Sequence, residues 1–280
     1  MRGSPQVPCY FIFGDSLVDN GNNNRLSSLA KANYLPNGID FPNGPTGRFS
    51  NGKTTVDVIA QLLGFDNYIP PYWMASGRQI LGGVNYASAA TGIRDRPDSN
   101  CHGISKCIYS IGLGSNDYLN NYFMSLYYSS STQYTPEQFA DVLIQEYTQQ
   151  LQIGCSPNEL DQNSPNGRTC VKRINAANRM FNDKLKGLVD QFNNTNSDAK
   201  FYINAYGIFQ DITSNPSTSG LKVANAGCCE AGRKNGQITC FPAQTPCPNR
   251  KEYLFWDVFH PTEAAYMIVG RRAYSAQVFR

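Results

Sequence analysis

Three observations predict an α/β fold with a mostly parallel sheet. Strand-like apolar runs bounded by turn residues recur along the chain, helical patterns separate most of them, and the polar residues capable of chemistry sit directly after the strand ends. With 280 residues, 41% of them hydrophobic, one sizeable domain spanning residues 1–280 is the simplest organisation.

The strand-like runs fall at 10–13, 84–87, 107–113, 201–205 and 253–256. The first helix covers "GKTTVDVIAQLL", 52–63, with Ser50 and Asn51 as candidate caps and Val56, Ile59, Ala60 and Leu63 on one face. A second opens on Pro136-Glu137 and repeats Phe139, Val142, Leu143, Tyr147 and Leu151 through residue 152. A third, 172–192, places Ile174, Ala177, Phe181 and Leu185 at the same spacing, and a last helix starts at Pro261. The polar tract 129–135 reads as a loop. Two places lack an expected element. Residues 153–170 have loop composition, so two helices follow one another with no strand between them. The two dozen residues between the second and third strands carry no helical period, where a parallel crossover needs one.

In an open α/β sheet the ligand site lies at the carboxyl ends of the strands. There stand Gly14-Asp15-Ser16, the small-residue loop 87–92, Gly114-Ser115-Asn116-Asp117, and Asp257 with His260. These are parts for acyl transfer. A serine hydroxyl needs a base, and histidine is the usual one. The chain has only His102 and His260. His260 is the better candidate, because Asp257 precedes it by three residues and one turn of chain brings that carboxylate to Nδ1, leaving Nε2 for Ser16. Oxyanion donors are worth about 3 kcal/mol each. The backbone N–H of Ser16, an N–H near Gly92 and the Asn116 amide can supply them. Each part also has a plainer reading: Ser16 as a helix cap, Asn116 as a turn residue, Asp257-x-x-His260-Pro261 as a capped helix start. What favours chemistry is that each occupies the end of a different strand.

The charge is +3 without runs of like sign, so no electrostatic footprint for nucleic acid is present. No apolar run of 18 residues occurs, which excludes a transmembrane helix. Nine cysteines, four of them between 228 and 247, favour disulfides in an oxidising compartment. Metal binding competes, without a Cys-x-x-Cys pair to support it. The odd count leaves at least one cysteine without an internal partner. The sequon Asn193-Asn194-Thr195, in what reads as a polar loop, agrees with secretion, while the opening "MRGSPQ" contains no signal peptide.

With these residues in hand the chain resembles a plant GDSL-type esterase/lipase of the SGNH hydrolase superfamily. The matching motifs are "FIFGDSLVDNGNNN", "GRFSNGKTTVDVIAQLLG", "GGVNYASAATGI", "SIGLGSNDYLNNY", "NAGCCEAG" and "YLFWDVFHPTEAA". The resemblance implies a three-layer α/β/α flavodoxin-like fold and hydrolysis of small-molecule carboxylic esters, with no cofactor and no metal. It implies Ser16 as nucleophile, Asp257 and His260 as its partners, Asn116 as oxyanion amide and Gly92 as oxyanion glycine, with Gly83 the less favoured candidate. It also implies an extracellular location. Compared with that family the chain is short before "SIGLGSND", lacks a strand before "GCSP", and has Glu230 where glycine is usual. The expected sheet therefore lacks one strand. A serine esterase/lipase is the leading reading, favoured by intact motifs. A catalytically silent truncated paralogue or splice product that only binds ligand or partner is the alternative, favoured by the missing segments. A carbohydrate-ester hydrolase would use the same residues.

Overall fold

The computed structural model describes residues 4–92, 107–113, 115–146, 156, 160, 164, 170–195, 203–229 and 239–275. Strand β1 (Tyr10–Gly14) pairs in parallel with β2 (Ile108–Gly112), Tyr10 opposite Ile108 and Gly14 opposite Gly112. Along the other edge of β1, residues 84–88 also run parallel. There the Ile12 N–H donates to Val84 O at 3.0 Å, Tyr86 N–H to Ile12 O at 2.7 Å and Ser88 N–H to Gly14 O at 2.9 Å. This predicted strand is a line of bridges rather than a full ladder, and on its far side Asn85 N–H donates to Pro70 O while Tyr72 N–H donates to Asn85 O, each at 2.9 Å. Strands β3 (Val223–Gly227) and β4 (Tyr253–Phe255) form a second parallel pair, irregular between Val223 and Gly227. Among the described residues the strands form two separate parallel pairs, β1 with β2 and β3 with β4.

Sequence alternation decides the two faces of β1. Tyr10 and Ile12 are buried against Val56, Ile59 and Ala60 of α1 (Thr55–Leu62) and Ala273 of α5 (Glu263–Ser275). Phe11 and Phe13 point the other way and stack on Tyr109 and Tyr86, with ring centroids 5.4 and 5.1 Å apart. Helices α1 and α5 cross closely at Gly270, where an added Cβ would lie 2.8 Å from the Val58 side chain. Under the second sheet, Phe209 and Ile212 of α4 (Ala205–Ser214) pack with Leu254, Phe255 and Val269. A separate apolar cluster joins α2 (Pro136–Glu146) to α3 (Lys172–Thr195) through Phe139, Leu143, Phe181 and Leu185, packed on Tyr118 and Tyr122. Parallel strands flanked by helices give the α/β/α class that the sequence predicts.

Several local expectations change. The cap of α1 is Thr54, not Ser50 or Asn51: Thr54 and Asp57 form a reciprocal capping box. The strand predicted at 201–205 has Phe201 and Tyr202 outside the described residues. Its remainder is a helix start, because the Asn204 side chain accepts from Gly207 N–H at 2.9 Å and caps α4. Both α4 and β3 are unforeseen, since "VANAG" carries none of the β-branched or aromatic weight that marks a strand beyond its first residue. The predicted loop at 129–135 contains one helical turn, Ser130–Gln133. The sequon lies in the last turn of α3, not in a loop. The final helix begins at Glu263 behind a Thr262 cap, two residues later than Pro261. Residues 147–152, 93–106 and Glu230 lie outside the described residues.

Disulfides join Cys9 to Cys107, Cys228 to Cys247 and Cys229 to Cys240, and Cys170 is also disulfide-bonded. The first ties the starts of β1 and β2 across a separation of 98 residues, a loop length for which chain entropy is worth about 4–5 kcal/mol.

The N-terminal end of α1 rests on a buried ion pair. Arg48 donates from Nε and Nη2 to the two Asp57 oxygens at 2.7 Å each, with the side chains 4% and 3% exposed. Arg48→Ala leaves the Asp57 carboxylate buried and uncompensated, and urea unfolding should read a loss of about 3–5 kcal/mol. A loss below about 1 kcal/mol would show that Asp57 is held by its cap alone.

Candidate active site

The last residue of β1 has to be glycine, because an added Cβ at Gly14 would collide with Val18 and the Gly112 carbonyl. Beyond it the chain turns at once: Val18 and Asp19 N–H both donate to Asp15 O, at 3.2 and 3.0 Å. Ser16 stands in that turn. Its backbone N–H has no partner among the described residues.

From the second sheet, Asp257 and His260 arrive on a tight loop after β4. The Phe259 and His260 N–H groups donate to Asp257 Oδ1 at 2.9 and 2.8 Å, and Trp256 N–H donates to His260 O at 2.7 Å. Asp257 and His260 are 2% and 5% exposed. His260 Nδ1 lies 2.9 and 2.8 Å from the two Asp257 oxygens, and Nε2 lies 2.9 Å from Ser16 Oγ. An Nδ1–H donated to the carboxylate leaves the Nε2 lone pair facing the serine hydroxyl. Phe49 packs on the imidazole at 5.0 Å between ring centroids and Phe259 meets it edge-on at 6.2 Å. The ring is thus held on three sides. His102 lies outside the described residues.

Asn116 follows β2 and lines the same cavity as Ser16 and His260, a space of about 210 Å³ walled by Leu29, Phe49, Leu119, Phe209 and Phe259. Its Nδ2 donates to Thr91 O at 2.9 Å and its Oδ1 accepts from Asn120 at 2.7 Å, leaving the second Nδ2–H uncommitted among the described residues. The two predicted glycines are not on this wall. Gly92 is buried against Asp117, whose carboxylate an added Cβ would approach to 2.9 Å, and Gly83 packs its backbone on Tyr10 at the far end of β1. In their place Ala89 and Ala90 line the cavity. Ala90 has φ 66°, a left-handed conformation costing about 1–2 kcal/mol in a residue with a Cβ. Its N–H has no partner among the described residues.

The Asn/Gly run after Ser16 has a structural purpose that composition does not reveal. Asn22 Nδ2 donates to Asn85 O and Ala87 O, Asn23 Nδ2 to Ala30 O and Ala89 O, Asn24 Nδ2 to Thr46 O and Asn20 Nδ2 to Ile69 O, at 2.6–3.0 Å. In return, Ala89 N–H donates to both Asp19 and Asn23 at 3.0 Å. These carboxamides stitch the serine loop to the Ala90 loop. They satisfy carbonyls of irregular segments, among them Ala87 O and Ala89 O.

Asp15 and Ser115 join the turns that carry Ser16 and Asn116, a tie that spacing along the sequence does not encode. The Ser115 hydroxyl donates to Asp15 Oδ2, and Leu17 N–H donates to Asp15 Oδ1 at 3.0 Å, so the serine turn and the Asn116 turn share one buried carboxylate. Burial pushes the Asp15 pKa up, against the Ser115 and Leu17 hydrogen bonds and the nearby His260. A folded-state pKa above the unfolded value near 3.9 stabilises the native state below about pH 4, and that contribution is lost as pH rises through the folded pKa. The neutral Asp15→Asn variant lacks this loss, so its stability relative to the parent should climb above about pH 4 and then level off. A gap constant with pH would contradict the assignment.

The profile of the GDSL-like Lipase/Acylhydrolase family matches residues 10–273. The chain is 57% identical to one GDSL esterase/lipase of Arabidopsis thaliana over 325 aligned positions, covering 99% of this chain and 90% of that protein. A second from the same plant is 57% identical, with 98% and 90% covered, and a third is 56% identical, with 99% and 89% covered. An alignment of 325 positions against 280 residues leaves at least 45 positions of the first relative without a counterpart here, as the two short regions lead one to expect. The chain belongs to the GDSL-like lipase/acylhydrolase family, with the plant GDSL esterase/lipases, and is an ester hydrolase of that family.

Proposed function

We propose that the chain hydrolyses carboxylic esters through an acyl-enzyme on Ser16. One observation carries this reading: an unbroken hydrogen-bond line from Ser16 Oγ through His260 to a buried Asp257. Ser16 Oγ attacks the ester carbonyl carbon while His260 Nε2 takes the hydroxyl proton, and Asp257 stabilises the imidazolium. The oxyanion accepts hydrogen bonds from the N–H of Ser16, the free Asn116 amide hydrogen and the N–H of Ala90, the last taking the role that the sequence gives to Gly92. Collapse expels the alcohol, protonated from Nε2. Water then attacks the acyl-enzyme, gives its proton to Nε2, and the carboxylic acid leaves as Ser16 recovers its hydrogen. The apolar cavity walls favour lipid or other acyl esters over polar acyl groups. The disulfides favour an extracellular setting, and one domain suffices for the whole site.

The silent alternative draws on the two separate strand pairs among the described residues and on the missing positions. Hydrolysis of p-nitrophenyl acetate separates the two. Ser16→Ala and His260→Ala should each lose at least about 10⁴ in kcat, and Asp257→Asn about 10⁴. Rates equal to that of the parent chain would leave only the binding reading. Asn116→Ala should lower kcat by about 10²–10³ with KM little changed. A change confined to KM would place Asn116 in ground-state binding.

A further inference from the structure

Two further asparagines follow Asn116 in "SNDYLNNY", and the fold uses only one of them. Asn121 Oδ1 accepts from the Ser130 hydroxyl at 2.5 Å and ties this segment to the helical turn Ser130–Gln133. Asn120 is exposed, lines the cavity beside Leu119, and makes one hydrogen bond among the described residues: its Nδ2 donates to Asn116 Oδ1 at 2.7 Å. The backbone beneath is fixed without it. Ser115–Asp117 is a helical turn that widens into a π-helical turn over Tyr118–Tyr122, closed by Phe123 N–H donating to Tyr118 O at 3.0 Å and anchored by the buried Tyr118 and Tyr122 rings. The Asn120 side chain is no part of that closure.

We infer that Asn120 is a positioning residue: it holds the Asn116 carboxamide in the one orientation that offers an N–H to the oxyanion. The inference rests on the acyl-enzyme reading and deepens it. The last torsion of an asparagine is broad, so a carboxamide held at one end can still swing. Here both ends are held. Thr91 O can only accept, so the Asn116 nitrogen must face it, at 2.9 Å. Oδ1 then faces Asn120, which meets it with a donor. Turned over, Asn116 would set two acceptors against each other at Thr91 and two donors against each other at Asn120. A proton donated into the amide oxygen also polarises the amide and strengthens its N–H groups as donors. The remaining Nδ2–H of Asn116 is thereby oriented before substrate arrives, which is what an oxyanion donor requires.

Asn120→Leu keeps the shape of the side chain and removes its donor, and p-nitrophenyl acetate reads the effect. The variant should lower kcat about five- to tenfold, the worth of one neutral hydrogen bond, with KM little changed. Asn120→Gln, which returns a donor at the same i, i+4 spacing, should recover most of that loss. In an Asn116→Ala background Asn120→Leu should change kcat by less than about twofold, because a residue that acts through Asn116 then has nothing to hold. A readout independent of turnover is the pair of Asn116 side-chain N–H signals in a heteronuclear NMR spectrum, assigned by their loss in Asn116→Ala. They should shift in Asn120→Leu and return towards the parent position in Asn120→Gln. Asn116 signals unmoved by Asn120→Leu, an unmoved kcat in an active parent, or an equal fall of kcat in the Asn116→Ala background would each overturn the inference. Signals that move as described, in a chain that hydrolyses no ester, would uphold the positioning and remove the acyl-enzyme reading instead.

Discussion

The Asp257 carboxylate is the constraint on which the site depends. It is almost wholly buried, and it accepts two backbone N–H groups of its own loop as well as the His260 imidazole. A buried charge with fewer donors would carry a heavy desolvation cost. Satisfied in this way, it shapes the 257–260 turn and fixes the ring in one act. The turn in turn depends on close packing: Gly227 of β3 leaves so little room that an added Cβ would sit 2.9 Å from the Asp257 backbone. Trp256, fully buried, anchors the preceding residue through Nε1 to Asn37 Oδ1 at 2.8 Å.

The serine side is built on the same principle with weaker parts. No strand or helix carries Ser16, so its position comes from a turn whose polar groups are met by side chains: Asp15, Asp19 and the asparagines after it. These link the serine loop to the Ala90 loop and, through Ser115, to Asn116. The three groups nominated to meet an oxyanion are therefore parts of one hydrogen-bonded unit. Its cost is visible in the left-handed backbone of Ala90, which persists only where the surroundings impose it. The Ser16 and His260 loops meet across two sheets that are not hydrogen-bonded to one another in the described residues. The Ser16–His260 contact is kept by packing of α5 against both halves, through Ala273 on β1 and Val269 on β4, and by polar ties such as Glu263 N–H to Asn51 Oδ1 and Trp256 Nε1 to Asn37 Oδ1.

Much of this is legible in the sequence, for identifiable reasons. Strands β1 and β4 and helices α1, α2, α3 and α5 announce themselves because their apolar spacing and their burial coincide, and β2 announces itself by its apolar run although it is only partly buried. Ser16, Asn116, Asp257 and His260 can be named because residue type and strand-end position are both local properties, and the structure brings Ser16, Asn116 and His260 to one cavity with Asp257 behind the imidazole. The rest depends on contacts that spacing does not encode. Strand β3 forms from "VANAG" because β4 offers it a ladder, not because Ala and Asn favour extension. Gly92 looks like the obvious residue for close substrate approach, yet its missing Cβ makes room for Asp117, while an alanine adopts the unusual backbone beside the cavity. Asp15 reads as part of a turn, and its tie to Ser115 spans 100 residues of sequence.

The central claim is that the Asp257-held His260 activates Ser16 in this chain although the described strands form two separate pairs. The most direct measurement is the intact mass of the protein after exposure to a fluorophosphonate, with peptide mapping of the adduct. One phosphonyl group per chain, on the peptide containing Ser16 and absent in His260→Ala at matched times, is the expected result. An unlabelled chain, or labelling of Ser16 that proceeds as fast without His260, would contradict it.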